Sequence, residues 1–330
     1  MDATIDSPLT AAQPKAIGAS GRSYFVIFNP MASKGRAAGT RQEIAEAFRA
    51  AGATCTMVPT EHRGHGEELA MRAVEEGWGA VVAVGGDGIV HEVANGLMRV
   101  AGEGVTLPLG VIPVGSGNDF SKMLDIRAHR PADAVRQILS AAPRQVDIGR
   151  VIRQDGAGGP AGDWYFTNGV GVGFDAQVAQ HASRIQKLRG AAIYGWAIVK
   201  TFSQLRSPSI RVLLDGEVVA DAPLILTTIS NGPCHGGSFW LCPGARVDDG
   251  QLDVLIADAR SLLGLLRLLP LVIFEKHLGQ KGVRLIRGAR VHLTSRERLP
   301  IHADGEIVAD WVREMEIETG VLRDAVIARH

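Results

Sequence analysis

Apolar residues from Ser23 to about Ile126 fall in short runs, each followed by a polar turn and, for the first three runs, by an amphipathic segment. The runs are YFVIF, TCTMVPT, AVVAV and LPLGVIPV. The first amphipathic segment begins at Thr40, has Glu43 at capping-box spacing and ends at Gly52. Strands that are apolar on both faces and alternate with helices form a parallel sheet covered on both sides. The pattern therefore predicts an α/β domain.

From about Arg144 onward the pattern changes to short, alternating strand-like segments, interrupted by one helical stretch from Ala176 to about Leu205. Two of these segments share nearly the same turn, LDGEVVAD and ADGEIVAD. An Asp-Gly pair between β-branched runs predicts a hairpin, because glycine accepts the positive φ of a type I′ turn. The second half is therefore predicted to be β-rich. Hairpin patterning accounts fully for Glu217, whereas the equivalent Glu306 can be either a turn residue or a functional carboxylate.

Composition narrows the class of protein. A chain of 330 residues favours two domains. Lysine plus arginine and aspartate plus glutamate both number 35, so charge gives no support for nucleic-acid binding. Three cysteines in a chain of this size favour a reducing compartment, and we expect a cytoplasmic protein.

Two segments of the chain could in principle associate with a membrane. The first twenty or so residues lack both a basic start and an apolar core, so we expect a disordered lead-in over residues 1–21 rather than a signal peptide or anchor. The most apolar segment, Leu262 to Phe274, has 13 residues, short of the ~20 needed to span a bilayer. It is expected to be a core helix or a face that touches lipid, and its sequence does not decide between them.

Glycine and hydroxyl-bearing residues follow every predicted strand of the first half. In a parallel sheet these turns meet at the carboxyl edge, where ligands bind. Glycines let backbone amides approach an anion, and each following helix adds its positive end. The pattern predicts a nucleotide phosphate site, although no P-loop is present and no G-x-G-x-x-G follows the first strand. The GVGFDA segment fits that fingerprint only in the second half and is interpreted as a turn.

Asp87 and Asp119 add carboxylates to these loops. Each could be a helix N-cap. Together in glycine-rich loops they favour Mg²⁺, which takes carboxylate and phosphate oxygens at once.

Six motifs occur in one order between about Tyr24 and Glu306: NPMASKGRA, GGDGIVHEVANGL, PVGSGNDFSK, VDIG, SNGPCHGGSFWLCPGARVDDGQLDV and the late DGE. Together they resemble the diacylglycerol kinase catalytic-domain family of soluble lipid kinases, which is related to sphingosine and ceramide kinases. The resemblance implies an α/β N-terminal domain with a parallel sheet (phosphofructokinase/NAD-kinase-like) and a β-rich, sandwich-like C-terminal domain. We place the ATP-binding domain at 22–143, with a tail at 310–330 that returns to it, and the lipid-substrate domain at 144–309.

The resemblance also implies site residues. Asp87, Asp119 and Asp147 would form an acidic network that organises Mg²⁺ and the phosphates, and Glu306 would be the general base. A structural metal site would take the Asp249 carboxylate and the backbone carbonyls of Arg246 and Gln251. The residues that would line the ATP site are Asn29, Ser33, Thr60, Gly86, Asp87, Gly88, Ile89, Val90, His91, Glu92 and Ser116.

Two departures from the family pattern stand in the same motif. Ile89 replaces the usual threonine and His91 the usual asparagine, while Ser116 for threonine keeps its hydroxyl. The loss of a hydroxyl at position 89 raises the alternative of a nucleotide-binding regulator without turnover.

The expected activity is ATP- and Mg²⁺-dependent phosphorylation of a lipid hydroxyl, most commonly diacylglycerol to phosphatidic acid. Peripheral contact with the inner membrane surface would involve Leu262 to Phe274 or the basic HASRIQKLRG segment, for which packing and solvation are the plainer interpretations. A kinase of a soluble hydroxyl compound, NAD-kinase-like, is the alternative within enzymes. The sequence does not decide between a monomer and a homodimer.

Overall fold

The computed structural model describes residues 23–102, 104–126, 130–153, 164–173, 207–237 and 239–327. The predicted lead-in, the helical stretch from Ala176 to Leu205, the HASRIQKLRG segment and the second half of GVGFDA lie outside these residues.

The first half forms a parallel sheet of four strands in the order β4-β3-β1-β2. The strands are β1 (Ser23–Phe28), β2 (Thr54–Pro59), β3 (Ala80–Gly85) and β4 (Leu109–Pro113). Successive side chains of a strand point to opposite faces. Accordingly, Phe25 and Ile27 pack into one apolar cluster, while Tyr24, Val26 and Phe28 pack into another on the opposite face. The predicted two-sided burial is confirmed.

Helices cover both faces of this sheet. The cluster around Phe25 includes residues of α2 (His65–Glu75) and α3 (Asp87–Ala101). The cluster around Tyr24 includes residues of α1 (Arg41–Ala50) and α5 (Pro131–Ser140). The remaining helices among the described residues are α4 (Asp119–Met123) and α6 (Leu262–Ile273), and a 3-10 segment spans Ala32–Thr40.

The predicted capping box at the start of α1 is wrong. Thr40 occupies the N-cap, but its hydroxyl donates to the carbonyl of Ala37 at 2.8 Å. Glu43 instead accepts from the backbone amide of Ala132 at 3.2 Å, which ties α1 to α5. A tertiary contact thus replaces the local one.

The second half is antiparallel and β-rich, as predicted. Its strands are β5 (Pro143–Arg153), β6 (Trp164–Phe166), β7 (Gly169–Gly173), β8 (Ser209–Leu214), β9 (Glu217–Ser230), β10 (Leu252–Asp258), β11 (Val283–Gly288), β12 (Arg290–Ala303) and β13 (Glu306–Ile327).

Both predicted hairpins are confirmed. Leu214 pairs with Glu217 across the first turn, and Ala303 pairs with Glu306 across the second. In each turn the aspartate and glycine have positive φ, at 51° and 90° for Asp215–Gly216 and at 52° and 84° for Asp304–Gly305.

Strand β13 connects the two halves. It pairs antiparallel with β12 and β5, and near its end Val326 pairs in parallel with Leu109 of β4. The hydrogen-bonded sheet is therefore continuous from one half to the other. The β12–β13 turn contacts α3 of the first half through Asp304 and Glu306.

Helix α6 has two different faces. Leu265, Leu268 and Val272 are buried against the β-rich half. On the other side Leu266 and Phe274, which follows the helix, are exposed. Within the described residues, none of the helices reaches the length and hydropathy of a membrane span.

Candidate active site

The carboxyl ends of the central strands bring several predicted residues to one edge. The backbone amide of Asn29 donates to Val84 at 3.0 Å, and that of Thr60 donates to Phe28 at 2.8 Å. The Ser33 hydroxyl donates to the carbonyl of Val114, beyond β4. Asn29, Ser33 and Thr60 therefore lie along one rim of the sheet, where the carboxyl ends of its parallel strands meet.

The two glycine-rich loops at this rim touch through their backbones. A Cβ atom on Gly115 would lie 2.3 Å from the Cα of Gly86, a separation that no side chain can occupy. The second loop is closed by Asn118, which has φ of 55°, accepts from the Gly115 amide at 3.0 Å and donates to its carbonyl at 2.9 Å. Ser116 lies exposed between them. This contact lies at the start of α3, where the first backbone amides of a helix have no intrahelical partner, an arrangement suited to an anion.

Ile89 and Val90 point away from this loop. Both side chains are buried in the apolar cluster beneath the sheet. Ile89 fills space left by glycines, because a Cβ on Gly66 or Gly85 would lie 2.6 Å or 2.5 Å from its methyl groups. The exchange of threonine for isoleucine at position 89 is therefore accommodated in the core, and only the backbone of these two residues is available to a ligand.

Glu92 has a structural contact of its own. Its two carboxylate oxygens accept from the amides of Gly64 and Gly66, each at 2.9 Å. These amides belong to the first turn of α2, so a carboxylate there also complements the helix dipole. Glu92 thereby holds the start of α2 against α3.

His91 contacts the late DGE motif. Its Nδ1 lies 3.1 Å from Asp304 Oδ2, and both side chains are almost fully buried, at 6% and 1% exposure. Asp304 also accepts from the Thr167 amide at 2.8 Å and hydroxyl at 3.1 Å, from the Asn168 amide at 2.8 Å and from the Gly169 amide at 3.0 Å. Asp304 is thus held by two separate parts of the chain.

The pKa values of this pair move in opposite directions. Burial alone would lower the pKa of His91, but the hydrogen bond and negative charge of Asp304 raise it above its ordinary value, with smaller contributions from Glu306 and Glu92. Burial alone would raise the pKa of Asp304, but His91 and the surrounding amides lower it. The two form a buried ion pair between α3 and the β12–β13 turn.

Glu306 follows this turn and lies above the start of α3. Its Oε1 is 3.7 Å from the position that a Cβ on Gly88 would take. Its carboxylate forms an ion pair with the exposed guanidinium of Arg63 and is itself 37% exposed. The second DGE glutamate therefore reaches the glycine-rich loop from the opposite domain, whereas Glu217 is exposed at the start of β9.

Asp87 and Asp119 lie close to each other below the loop that Glu306 reaches. Asp87 accepts from the Phe120 amide at 3.2 Å. Burial, together with the negative charge of Asp119, raises the pKa of Asp87 to about 6. Asp119 is held by Lys122 at 3.1 Å and by the amide of Gly237 at 2.8 Å, and the latter lies in the β-rich half. Two carboxylates that repel each other in this way are suited to share a cation.

Asp147 lies at the loop matched to the structural metal site. Its Oδ2 accepts from the Gly250 amide and its own amide donates to Val247, both at 2.6 Å. Within that loop Asp249 accepts from the Gln251 amide at 3.1 Å. A carboxylate and backbone carbonyls in a tightly held loop are hard oxygen donors, so the residues present fit Mg²⁺.

The cysteine-containing loop forms separate contacts rather than one metal site. Cys234 Sγ lies 3.4 Å from Asp119, His235 Nε2 lies 2.8 Å from the Ser230 hydroxyl, and Cys242 Sγ lies 3.9 Å from the carbonyl of Asp253. Burial raises the pKa of each thiol to about 12, which disfavours the thiolate that zinc requires.

Sequence reasoning missed Arg63 and the part played by Asp304. Arg63 precedes Glu306 by 243 residues, and no local signal connects them. Asp304 belongs to the DGE motif, but the Asp-Gly turn alone explained an aspartate there. Its burial and its pairing with a positive charge were therefore not predicted.

Family models match both halves of the chain. The diacylglycerol kinase catalytic domain matches residues 23–151, and the YegS C-terminal NAD kinase beta sandwich-like domain matches residues 168–326.

Individual relatives extend over most of the chain. A diacylglycerol kinase of Mycobacterium tuberculosis is 31% identical over 77% of this chain and 79% of its own. A probable lipid kinase, YegS-like, of Chromohalobacter salexigens is 34% identical over 78% of this chain and 79% of its own. The crystal structure of a putative diacylglycerol kinase from Bacillus anthracis has a TM-score of 0.71 at 20% identity, covering 93% of this chain and 97% of that chain, and this likeness shows the fold.

Proposed function

Because this chain belongs to the diacylglycerol kinase catalytic-domain family, we propose that it transfers the γ-phosphoryl group of ATP to the hydroxyl group of a lipid. Diacylglycerol, which would yield phosphatidic acid, is the acceptor favoured by the names of its relatives. The observation that carries the proposal is the position of Glu306, which reaches the first turn of α3 beside Gly88 from the opposite domain.

The ATP phosphates would bind at the start of α3. The amides near Gly86 and Gly88 are those of a helix N-terminus, and Gly115 packs against them without a side chain. Amides and the helix dipole stabilise phosphate oxygens without adding charge. This accounts for the choice of small residues in both loops.

Glu306 would accept the proton of the acceptor hydroxyl. Positioning and electrostatics carry most of the catalysis in phosphoryl transfer, so a base needs correct placement above all. Placement is supplied by Asp304, two residues earlier, which is held by His91 and by three successive residues that begin at Thr167. Arg63 would hold the carboxylate of Glu306 in one orientation until the acceptor arrives.

Mg²⁺ would offset the charge of the phosphate oxygens when it is bound with ATP. Asp87 and Asp119 would hold it in the cleft, and Asp249, Arg246 and Gln251 would hold a second, structural ion. The raised pKa of Asp87 supports this, because a bound cation would stabilise the charged carboxylate that burial and the charge of Asp119 disfavour.

The exposed face of α6 supports a lipid acceptor. Leu263, Leu266, Ile273 and Phe274 are all exposed, with Arg267 exposed among them. An apolar face rimmed by a basic residue is suited to a membrane surface. We propose that the protein works in the cytoplasm and meets its acceptor at the inner membrane surface.

The test is transfer of γ-labelled phosphate from ATP with Mg²⁺ into a lipid extract and into NAD. Glu306→Gln is compared with Glu217→Gln, since both glutamates follow an Asp-Gly turn and begin a strand. We expect labelled lipid from the unmodified protein and from Glu217→Gln, and a loss of about 100-fold or more for Glu306→Gln with ATP binding retained. Label in NAD alone would favour a soluble acceptor, and bound ATP without any labelled product would favour the regulator.

A further inference from the structure

The turn that leads into α2 carries a group of side chains that the proposed transfer does not use. His62, His65 and Glu68 each present one ligand atom, and these atoms all lie within 4.8 Å of one another. Across the described part of the chain, no other set of three His, Cys, Asp or Glu residues meets this spacing.

The turn is held in a fixed shape. Gly64 has φ of 83° and reverses the chain, so that the ring of His62 stacks on that of His65 with centroids 4.7 Å apart and planes 13° apart. Glu92 of α3 accepts hydrogen bonds from the amides of Gly64 and Gly66, on either side of His65, and so fixes this turn. Glu68 lies three residues after His65 on the same face of α2, which brings its carboxylate to the stacked rings.

Two imidazoles and a carboxylate form a donor set for Zn²⁺ or a similar transition-metal ion rather than for Mg²⁺. His62 Nδ1 lies 3.0 Å from the carbonyl of Arg63, so donation there leaves the Nε2 lone pair directed outward. That Nε2 is 3.9 Å from Glu68 Oε2. Bonds of about 2.1 Å in a tetrahedral site place two ligands ~3.4 Å apart. Each imidazole binds a metal in its own ring plane, so closing the site requires one of the stacked rings to turn out of the stack. The exposed ring of His62 has room to do so.

One contact opposes metal binding and limits its strength. His65 Nδ1 accepts from the amide of Glu61 at 3.0 Å, and coordination by this ring requires that hydrogen bond to be exchanged or the ring to turn. We therefore expect binding weaker than that of a structural zinc site, in the micromolar range.

We propose that His62, His65 and Glu68 bind one transition-metal ion of the Zn²⁺ type, with water completing the coordination. Arg63 lies between the two histidines, and its guanidinium contacts Glu306. A bound ion would therefore brace the turn that holds Arg63 against the proposed base. Metal binding itself does not depend on the proposed function, whereas this consequence does.

The experiment is calorimetric titration of the full chain with Zn²⁺ in excess Mg²⁺. We expect one site, and affinity at least tenfold weaker in both His62→Gln and Glu68→Gln. The control is His292→Gln, because His292 Nε2 lies 3.0 Å from Glu314 without a third ligand in reach among the described residues. Zn²⁺ should raise the Tm of the unmodified protein and of the control but not of the two variants, all of which should match in circular dichroism.

Three outcomes would overturn the site: no binding in the micromolar range, displacement of Zn²⁺ by Mg²⁺, or equal affinity in the variants and the unmodified protein. None of them bears on lipid phosphorylation, which is measured separately.

Discussion

Replacing His91 with leucine tests whether the buried pair with Asp304 holds the two halves of the site together. The substitution removes both the positive charge and the Nδ1 donor from a pair whose side chains are 6% and 1% exposed. Without His91, an ionised Asp304 would be buried with no counter-charge. We expect the protein to fold and to be less stable.

The expected loss in the free energy of unfolding is about 3 kcal/mol, the lower end of the ~3–5 kcal/mol found when one partner of a buried pair is removed. The lower end applies because four donors, from Thr167, Asn168 and Gly169, still stabilise the carboxylate of Asp304. At ~2–4 °C per kcal/mol this corresponds to a fall in Tm of roughly 6–12 °C.

The pH dependence follows from the directions of the two pKa shifts. His91 has a raised pKa, so its contribution is fully present below its ordinary pKa of about 6.5 and is lost as pH rises through the raised value. Asp304 has a lowered pKa, so its contribution is present above about 3.9 and is lost as pH falls through the lowered value. The cost of the substitution should therefore be greatest between about pH 4 and 6.5 and should shrink towards alkaline pH.

The assay is urea unfolding from pH 5 to 9, followed by far-UV circular dichroism. His292→Leu is the matched control, because its pair with Glu314 is half-exposed and should contribute less than about 1 kcal/mol. His91→Asn, the residue usual in the family, keeps a donor and should fall between the two. A cost for His91→Leu that equals the control, or that grows with pH, would refute the ion pair.

Three further substitutions test other parts of the site. Gly88→Ala should stabilise the protein by up to about 1 kcal/mol, since alanine favours a helix. It should slow transfer in the labelled-phosphate assay, because its methyl group would occupy the space between Glu306 Oε1, 3.7 Å away, and the loop. Unchanged transfer would count against that placement. Phe274→Glu should reduce flotation with anionic liposomes while leaving circular dichroism unchanged, and equal flotation would remove α6 from the membrane surface. Asp249→Asn should abolish the rise in Tm that Mg²⁺ produces without ATP, and a retained rise would place that ion elsewhere.

The parts of the fold that were predictable are those with local causes. The hairpins at Asp215 and Asp304 follow from an Asp-Gly pair that tolerates positive φ. The parallel sheet follows from strands apolar on both faces, as in β3, where all six residues are buried. In both cases the residues that determine the structure are neighbours in the chain.

The parts that were not predictable depend on distant partners. Glu43 has ideal capping spacing, yet the amide of Ala132 takes its carboxylate. Ile89 was expected beside the phosphates because its motif places it there, but a side chain at that position faces the glycines at 66 and 85. The family resemblance identified Glu306. Only the fold shows that Arg63 forms an ion pair with Glu306 and that the charge of Glu306 contributes to the raised pKa of His91.

The course of β13 has a consequence for how the chain folds during synthesis. The strand begins at Glu306, and near its end Val326 pairs with Leu109, roughly 200 residues earlier in the chain. One edge of β4 therefore remains without this neighbour while the whole β-rich half is being made. Such distant pairing makes folding slow, and an uncovered strand edge invites aggregation in the meantime. A nascent chain of this protein should thus need protection by chaperones for longer than its first domain alone would suggest.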